Sequence, residues 1–216
     1  MTADLFHYEA GLHRAGFALV AGADEAGRGA CAGPLVAAAV ILEPGDLLEG
    51  LADSKALSPV RREALYEEVT TRAVAWSAVT VDAADCDRWG IQEADLQALR
   101  RAVLYLDPAP DFALTDGFPV AGLGRPGLAL WKGDQVAACV AAASIVAKVR
   151  RDRIMVTADA AYPGYGFAVH KGYCTQQHQQ ALLELGPCPL HRRTFATVAS
   201  AVERRGDPAP AGEAQG

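Results

Sequence analysis

A short apolar run, Phe17-Ala18-Leu19-Val20-Ala21, leads into Asp24-Glu25-Ala26-Gly27-Arg28-Gly29, and this junction limits what the chain can fold into. The run suits an interior strand. Two adjacent carboxylates close it, followed by a loop with little side chain. Like charges ~4 Å apart repel by roughly 4 kcal/mol at a surface-like effective dielectric. Such a pair beside a core strand calls for a cation to absorb the charge. Gly27-Arg28-Gly29 lets backbone approach an anionic group. Carboxylates for a metal and a loop for phosphate together point to metal-assisted phosphodiester chemistry.

The 216 residues suffice for one well-buried domain with a small appendage. The N-terminus, Met1-Thr2-Ala3-Asp4-Leu5-Phe6-His7, has no basic segment followed by an apolar one, so no signal peptide is expected. The longest apolar stretches, Leu35–Leu42 and Val136–Ala147, fall short of the ~20 residues that span a bilayer. Cys31, Cys86, Cys139, Cys174 and Cys188 form no C-x-x-C pair and read as free thiols of a reducing compartment. A cytoplasmic monomer with no membrane partner is expected. The net charge of −6 is uneven: residues 1–147 carry −9 and residues 148–216 carry +3. A basic C-terminal part can face nucleic acid, because local potential governs binding, although it also suits simple solvation of surface helices.

Strands are predicted over Phe17–Ala23, Leu35–Leu42, Val74–Val81, Phe112–Thr115 and Leu128–Trp131. Ser58-Pro59 marks the start of a helix through Arg72. A second helix covers Gln92–Leu106, a long Ala-rich one runs from Asp134 to about Ala161, and a last one begins at Thr175. The pattern predicts an α/β domain, residues 16–205, with a mixed sheet and a helical C-terminal part. Residues 1–15 form a lead-in, and the Gly-, Pro- and Ala-rich stretch 206–216 is expected to be a disordered tail.

Asp24 and Asp116 both fall where an apolar strand ends, and Asp134 follows Trp131-Lys132-Gly133. If those strands are neighbours, Asp24, Glu25, Asp116 and Asp134 converge on one sheet edge as oxygen ligands for Mg²⁺ or Mn²⁺. Taken singly, Asp134 is equally a helix cap and Asp116-Gly117 a turn. The loop is neither G-x-G-x-x-G nor a P-loop. In His170-Lys171-Gly172-Tyr173, the lysine suits a phosphate and the tyrosine a sugar or base. The same region offers His170, Cys174, His178, Cys188 and His191 as zinc donors, at spacings that match no common finger. Lys148, Arg150, Arg151 and Arg153 read as a solvated helix face, and His191-Arg192-Arg193 as surface charge or a phosphate contact. A non-catalytic nucleic-acid binder and a zinc-stabilised interaction module therefore stay open beside the nuclease.

Five ordered motifs resemble those of ribonuclease HII, the bacterial type 2 ribonucleases H. They are Asp24–Gly29, Asp53-Ser54-Lys55-Ala56-Leu57-Ser58, Lys132-Gly133-Asp134, Ala141–Asp152 and His170–Tyr173. The resemblance runs from about residue 16 to residue 195. It implies a ribonuclease H-like fold, a mixed sheet flanked by helices. It implies an endonuclease that cuts the RNA strand of RNA/DNA hybrids. It further implies incision 5′ to single ribonucleotides in duplex DNA, leaving a 3′-hydroxyl and a 5′-phosphate. By position, Asp24, Glu25, Asp116 and Asp134 would be the catalytic carboxylates that hold two Mg²⁺ or Mn²⁺ ions. Gly27, Arg28 and Gly29 would read the ribose 2′-hydroxyl. Tyr173 would stack on the deoxyribose past the ribonucleotide, and Lys55, Ser144, Lys148 and Lys171 would hold phosphates. Phe118-Pro119, Gln135-Val136 and Cys174 depart from the family pattern. With about 16 residues before the first strand, the extra N-terminal domain of ribonuclease HIII is not expected.

Overall fold

The computed structural model describes residues 5–46, 48–51, 54–55 and 57–205. Asp53 and Ala56 of the second motif and the expected tail at 206–216 lie outside the described residues. The chain opens with helix α1 (His7–Arg14), then strands β1 (Val20–Ala26) and β2 (Leu35–Ile41). Helix α2 (Pro59–Arg72), strand β3 (Ala75–Val81) and helices α3 (Ala83–Trp89) and α4 (Ile91–Leu104) follow. Strands β4 (Phe112–Asp116) and β5 (Gly127–Leu130) precede the long helix α5 (Ala138–Ala161). Helices α6 (Phe167–His170), α7 (Gln176–Leu185) and α8 (Ala196–Arg205) complete the chain.

The five strands form one mixed sheet in the order β3-β2-β1-β4-β5. The β1–β2 and β2–β3 pairs are antiparallel, and the β1–β4 and β4–β5 pairs are parallel. Every residue of β2 is buried, as a central strand covered on both faces requires. Along β1, Val20 and Ala26 join the core shared with α5 and α2, while Ala21 and Ala23 face the core built with α4. This alternation carries Asp24 to the α5 face and Glu25 to the α4 face.

Helix α5 lies directly on β1 and β2. Its first ten residues, Ala138–Ala147, are all buried, which explains why they are small or aliphatic. Gly22 permits the contact: a Cβ there would lie 2.1 Å from the Cys139 carbonyl carbon and 2.2 Å from the Val140 nitrogen. The lead-in is also part of this packing. Glu9 of α1 is buried, and its carboxylate accepts a 2.8 Å hydrogen bond from the Cys139 N–H in the first turn of α5. An acidic side chain from another helix thus satisfies a free N–H at the positive end of α5.

The structure corrects several sequence expectations. The first strand begins at Val20 rather than Phe17 and runs through the carboxylates to Ala26. Asp134 does not open the long helix; it sits in a short 3₁₀ turn, Gly133–Gln135, entered through Lys132 at φ 54°. The α-helix starts four residues later, at Ala138, where the chain meets Gly22 and Glu9. A further helix, α8, follows the one predicted to be last.

Gly22→Ala should destabilise the fold by about 3 kcal/mol or more, because backbone cannot swing aside as a side chain can. Urea unfolding of the variant would measure this, and a loss below ~1 kcal/mol would mean that α5 can shift away from β1.

Candidate active site

The parallel register of β1 and β4 pairs Val20 with Phe112 and Ala23 with Thr115. One step further stand Asp24, two residues before the carboxyl end of β1, and Asp116, the last residue of β4. Open α/β sheets commonly place their sites at such ends. Oxygens of Asp24, Glu25 and Asp116 all lie within 4.8 Å of one another. The backbone braces them: Asp24 Oδ1 accepts from the Glu25 N–H at 2.7 Å, and Asp116 Oδ1 accepts from the Gly133 N–H at 2.6 Å. The second bond ties the β4 end to the turn that carries Asp134. Asp134 is buried and raises Asp24 electrostatically, yet it stands outside the tight group of three.

Burial, then the charges of Glu25 and Asp116, push the Asp24 carboxyl well above its ordinary value. Burial and then Asp116 push Glu25 up as well, while Arg28 opposes the shift. Three oxygen donors held this close, under mutual repulsion, fit a hard divalent cation.

Beside the carboxylates runs a groove of about 660 Å³. Its walls include Gly27, Arg28, Gly29, Lys55, Lys148, Lys171 and Tyr173, seven of the expected substrate contacts. Tyr173 keeps 37 % of its surface exposed there. Lys148 Nζ lies 2.6 Å from Asp152, and burial lowers the lysine's pKa. Ser144, the remaining expected contact, is buried and donates to Ser54 Oγ at 2.7 Å, so it reaches the groove only through Ser54. The loop carrying Ser54 is held by Arg62, which donates to the carbonyls of Ser54 and Leu57 at 2.7 and 2.8 Å.

Two arginines expected at the surface are interior. Arg151 is fully buried and donates to the Pro34 and Ala32 carbonyls at 2.9 and 3.1 Å. Its guanidinium lies 5.4 Å from the centroid of the Tyr173 ring. Gly27, at φ +90°, leaves room for it, since a Cβ there would sit 1.8 Å from Arg151 Nε. Arg192, also fully buried, donates to the carbonyls of Gly33 and Arg28. The residues between the glycine loop and β2 are thus held from beneath by two guanidinium groups. A run of basic residues in sequence gave no sign of which would turn inward.

The zinc alternative finds no support in the geometry. Among the described residues, His170, Cys174, His178, Cys188 and His191 do not bring three donor atoms together. Their ring nitrogens are engaged elsewhere: His170 with the Tyr165 carbonyl, His178 with the Tyr173 carbonyl, and His191 with the Cys188 N–H. Nε2 atoms of His178 and His191 lie 3.1 Å apart. Burial, then His178, lowers the pKa of His191 to about 4, so this pair is a neutral, packed contact.

A family profile described as Ribonuclease HII matches residues 21–198. The chain belongs to the ribonuclease HII family. Ribonuclease HII of Cutibacterium acnes is 60 % identical over 193 residues, covering 88 % of this chain and 95 % of that one. Ribonuclease HII of Salinispora arenicola is 58 % identical over 206 residues, covering 94 % and 77 %. Among solved structures, ribonuclease H2 from Pyrococcus horikoshii OT3 superposes with a TM-score of 0.75 at 26 % identity, covering 88 % of this chain and all of that one. Membership makes the chain a ribonuclease H, a hydrolase of the RNA in RNA/DNA hybrids, from a family that depends on divalent metal. No helix among the described residues is long and apolar enough to cross a membrane.

The raised carboxylates carry a stability signature. Between the ordinary value of 3.8 and its raised one, Asp24 keeps a proton in the folded chain that the unfolded chain has lost. Metal-free stability should therefore fall as pH rises through that window. A divalent cation prefers the deprotonated cluster, so its stabilisation should grow with pH. With the ion at ~100 times its Kd, the melting temperature at pH 8 should rise by roughly 5–10 °C. At pH 5 the gain should be much smaller. Thermal melts with EDTA and with Mn²⁺ at both pH values would check this, and a gain independent of pH would contradict it.

Proposed function

We propose that this ribonuclease H hydrolyses the RNA strand of RNA/DNA hybrids and also incises duplex DNA 5′ to a single embedded ribonucleotide. It would leave a 3′-hydroxyl and a 5′-phosphate, acting as a monomer with residues 16–205 as its catalytic unit. The observation that carries this reading is the meeting of Asp24, Glu25 and Asp116 beside a groove walled by Gly27–Gly29 and Tyr173. Asp24, Glu25 and Asp116 would hold two Mg²⁺ or Mn²⁺ ions, with Asp134 completing their surroundings. When bound, such ions supply an activated water and a counter-charge for the leaving oxygen.

The chain's own residues do the rest. Gly27 and Gly29 offer bare backbone at the groove, which suits a hydrogen bond with a 2′-hydroxyl, the group that separates RNA from DNA. Lys55, Lys148 and Lys171 hold phosphates and fix the scissile bond near the carboxylates. Tyr173 offers a ring face to the sugar beyond the ribonucleotide, steadied by the Arg151 guanidinium. No side chain is needed as a nucleophile.

Cleavage of a labelled duplex with one ribonucleotide, beside an all-DNA control, tests the reading. A metal-dependent cut 5′ to the ribonucleotide, absent with EDTA and from the control, is expected. Cleavage of the long hybrid alone would restrict the enzyme to hybrids. Asp24→Asn should lower kcat by a factor of about 10³ or more while substrate binding persists, because it removes the central ligand. Tyr173→Ala should reduce kcat/KM on the single-ribonucleotide duplex by about tenfold, the scale of one lost stacking contact, and on long hybrids far less. Equal losses on both substrates would remove the junction-reading role.

A further inference from the structure

Asp95 is an acid that the proposed chemistry does not use. It stands on α4, 1 % exposed, and neither of its oxygens accepts a hydrogen bond among the described residues. A buried carboxylate in that condition is unfavourable unless a cation offsets it. The cation is Arg28, the middle residue of the glycine loop, whose Nε lies 3.3 Å from Asp95 Oδ2.

Two further contacts complete the seat of this guanidinium. Its Nη2 donates to Gln92 Oε1, and Gln92 lies three residues before Asp95 on the same face of α4. The ring of Phe118 covers it, 4.7 Å from guanidinium carbon to ring centroid. Phe118 follows the Asp116-Gly117 corner, so the side chain bridges two elements that border the carboxylates. The Arg28 carbonyl meanwhile accepts from Arg192 at 2.9 Å. The central residue of the loop is therefore fixed at both backbone and side chain. Glu25 is another acid within electrostatic reach of Arg28. A guanidinium released from Asp95 would be drawn to Glu25, which also lines the groove, and would leave its seat against Gln92 and Phe118.

We propose that Asp95 is a positioning residue: by pairing with Arg28 it seats the loop's central side chain against Gln92 and Phe118 and so sets how tightly the groove holds substrate. The proposal rests on reading Gly27–Gly29 as a substrate-contacting loop.

Steady-state kinetics on a long RNA/DNA hybrid test it. Asp95→Asn keeps the shape and removes the charge. It should raise KM about tenfold, the scale of one lost charge-assisted contact, with kcat within about twofold. The variant should melt close to the wild type, since the Arg28 side chain is 33 % exposed and water can solvate its charge once the carboxylate is gone. In an Arg28→Ala background the same substitution should leave KM unchanged, because its effect travels through that side chain. Gln92→Ala, at an exposed position, should raise KM about threefold and also lose its effect without Arg28. An unchanged KM in Asp95→Asn would overturn the proposal. So would a full KM effect retained without Arg28, or a fall in melting temperature with kcat and KM damaged together. Wild-type failure on the single-ribonucleotide duplex would defeat the proposed function alone, and the hybrid kinetics would still decide the role of Asp95.

Discussion

The parallel pairing of β1 with β4 is the contact on which the site depends. Because the two strands run the same way in register, Asp24 near the carboxyl end of β1 meets Asp116 at the carboxyl end of β4. An antiparallel partner would have brought an amino end to that place. The pairing needs a covered sheet, and α5 and α4 supply the two covers. Gly22 then lets α5 descend until it touches the β1 backbone, which buries Asp24 from one side. The raised carboxyls and the packed core are consequences of one arrangement.

That arrangement is electrostatically unfavourable by itself, and the surrounding residues spread the burden. Asp24, Glu25 and Asp95 all titrate above the ordinary range, each chiefly through burial, with Asp95 pushed up to about 7. Arg28 opposes the shift at both Glu25 and Asp95. Arg151 and Arg192 bring cations to the other side of the glycine loop, where backbone carbonyls accept from them, although Arg151 Nη1 has no hydrogen-bond partner among the described residues. Burial lowers Arg151 to about 10, so it remains charged at neutral pH. The loop is thus rigid on its inner side and bare on its outer side, a suitable state for discriminating a sugar by one hydroxyl.

Much of this was legible in the chain. The five predicted strands exist, and the helix at Ser58-Pro59 starts where expected, with the Ser58 hydroxyl accepting from the Arg61 N–H at 3.3 Å. Asp24, Glu25 and Asp116 were readable as a group because adjacent carboxylates close one apolar run and a third closes another, although Asp116-Gly117 alone also reads as a turn. Asp134 was misplaced because a helix cap and a 3₁₀ turn before a helix share one local signature, and only the contact at Gly22 decides where α5 begins. Arg151 and Arg192 were misread for a different reason. Their partners are main-chain carbonyls of residues more than a hundred positions away, and carbonyls leave no mark in a sequence. Asp95 was invisible because its partner Arg28 lies 67 positions before it and only the fold makes them neighbours.

The fold, and not the charge asymmetry along the chain, makes the groove basic: three of its five cations come from the acidic residues 1–147. A chain of net charge −6 that acts on a polyanion must concentrate its cations where the polyanion lies. The structure gathers Lys55, Lys148, Lys171, Arg28 and Arg62 along one groove. Most of the acids are left elsewhere, some paired at the surface, as Arg72 is with Asp46 and Glu68. The acids that do border the groove are either paired, like Asp152 with Lys148, or belong to the carboxylate cluster. Nucleic acid bound as proposed would meet positive potential along its backbone and a concentrated negative charge only at the carboxylates. That negative point would repel a phosphate until a divalent cation occupies it, which couples productive binding to the metal on which the chemistry depends.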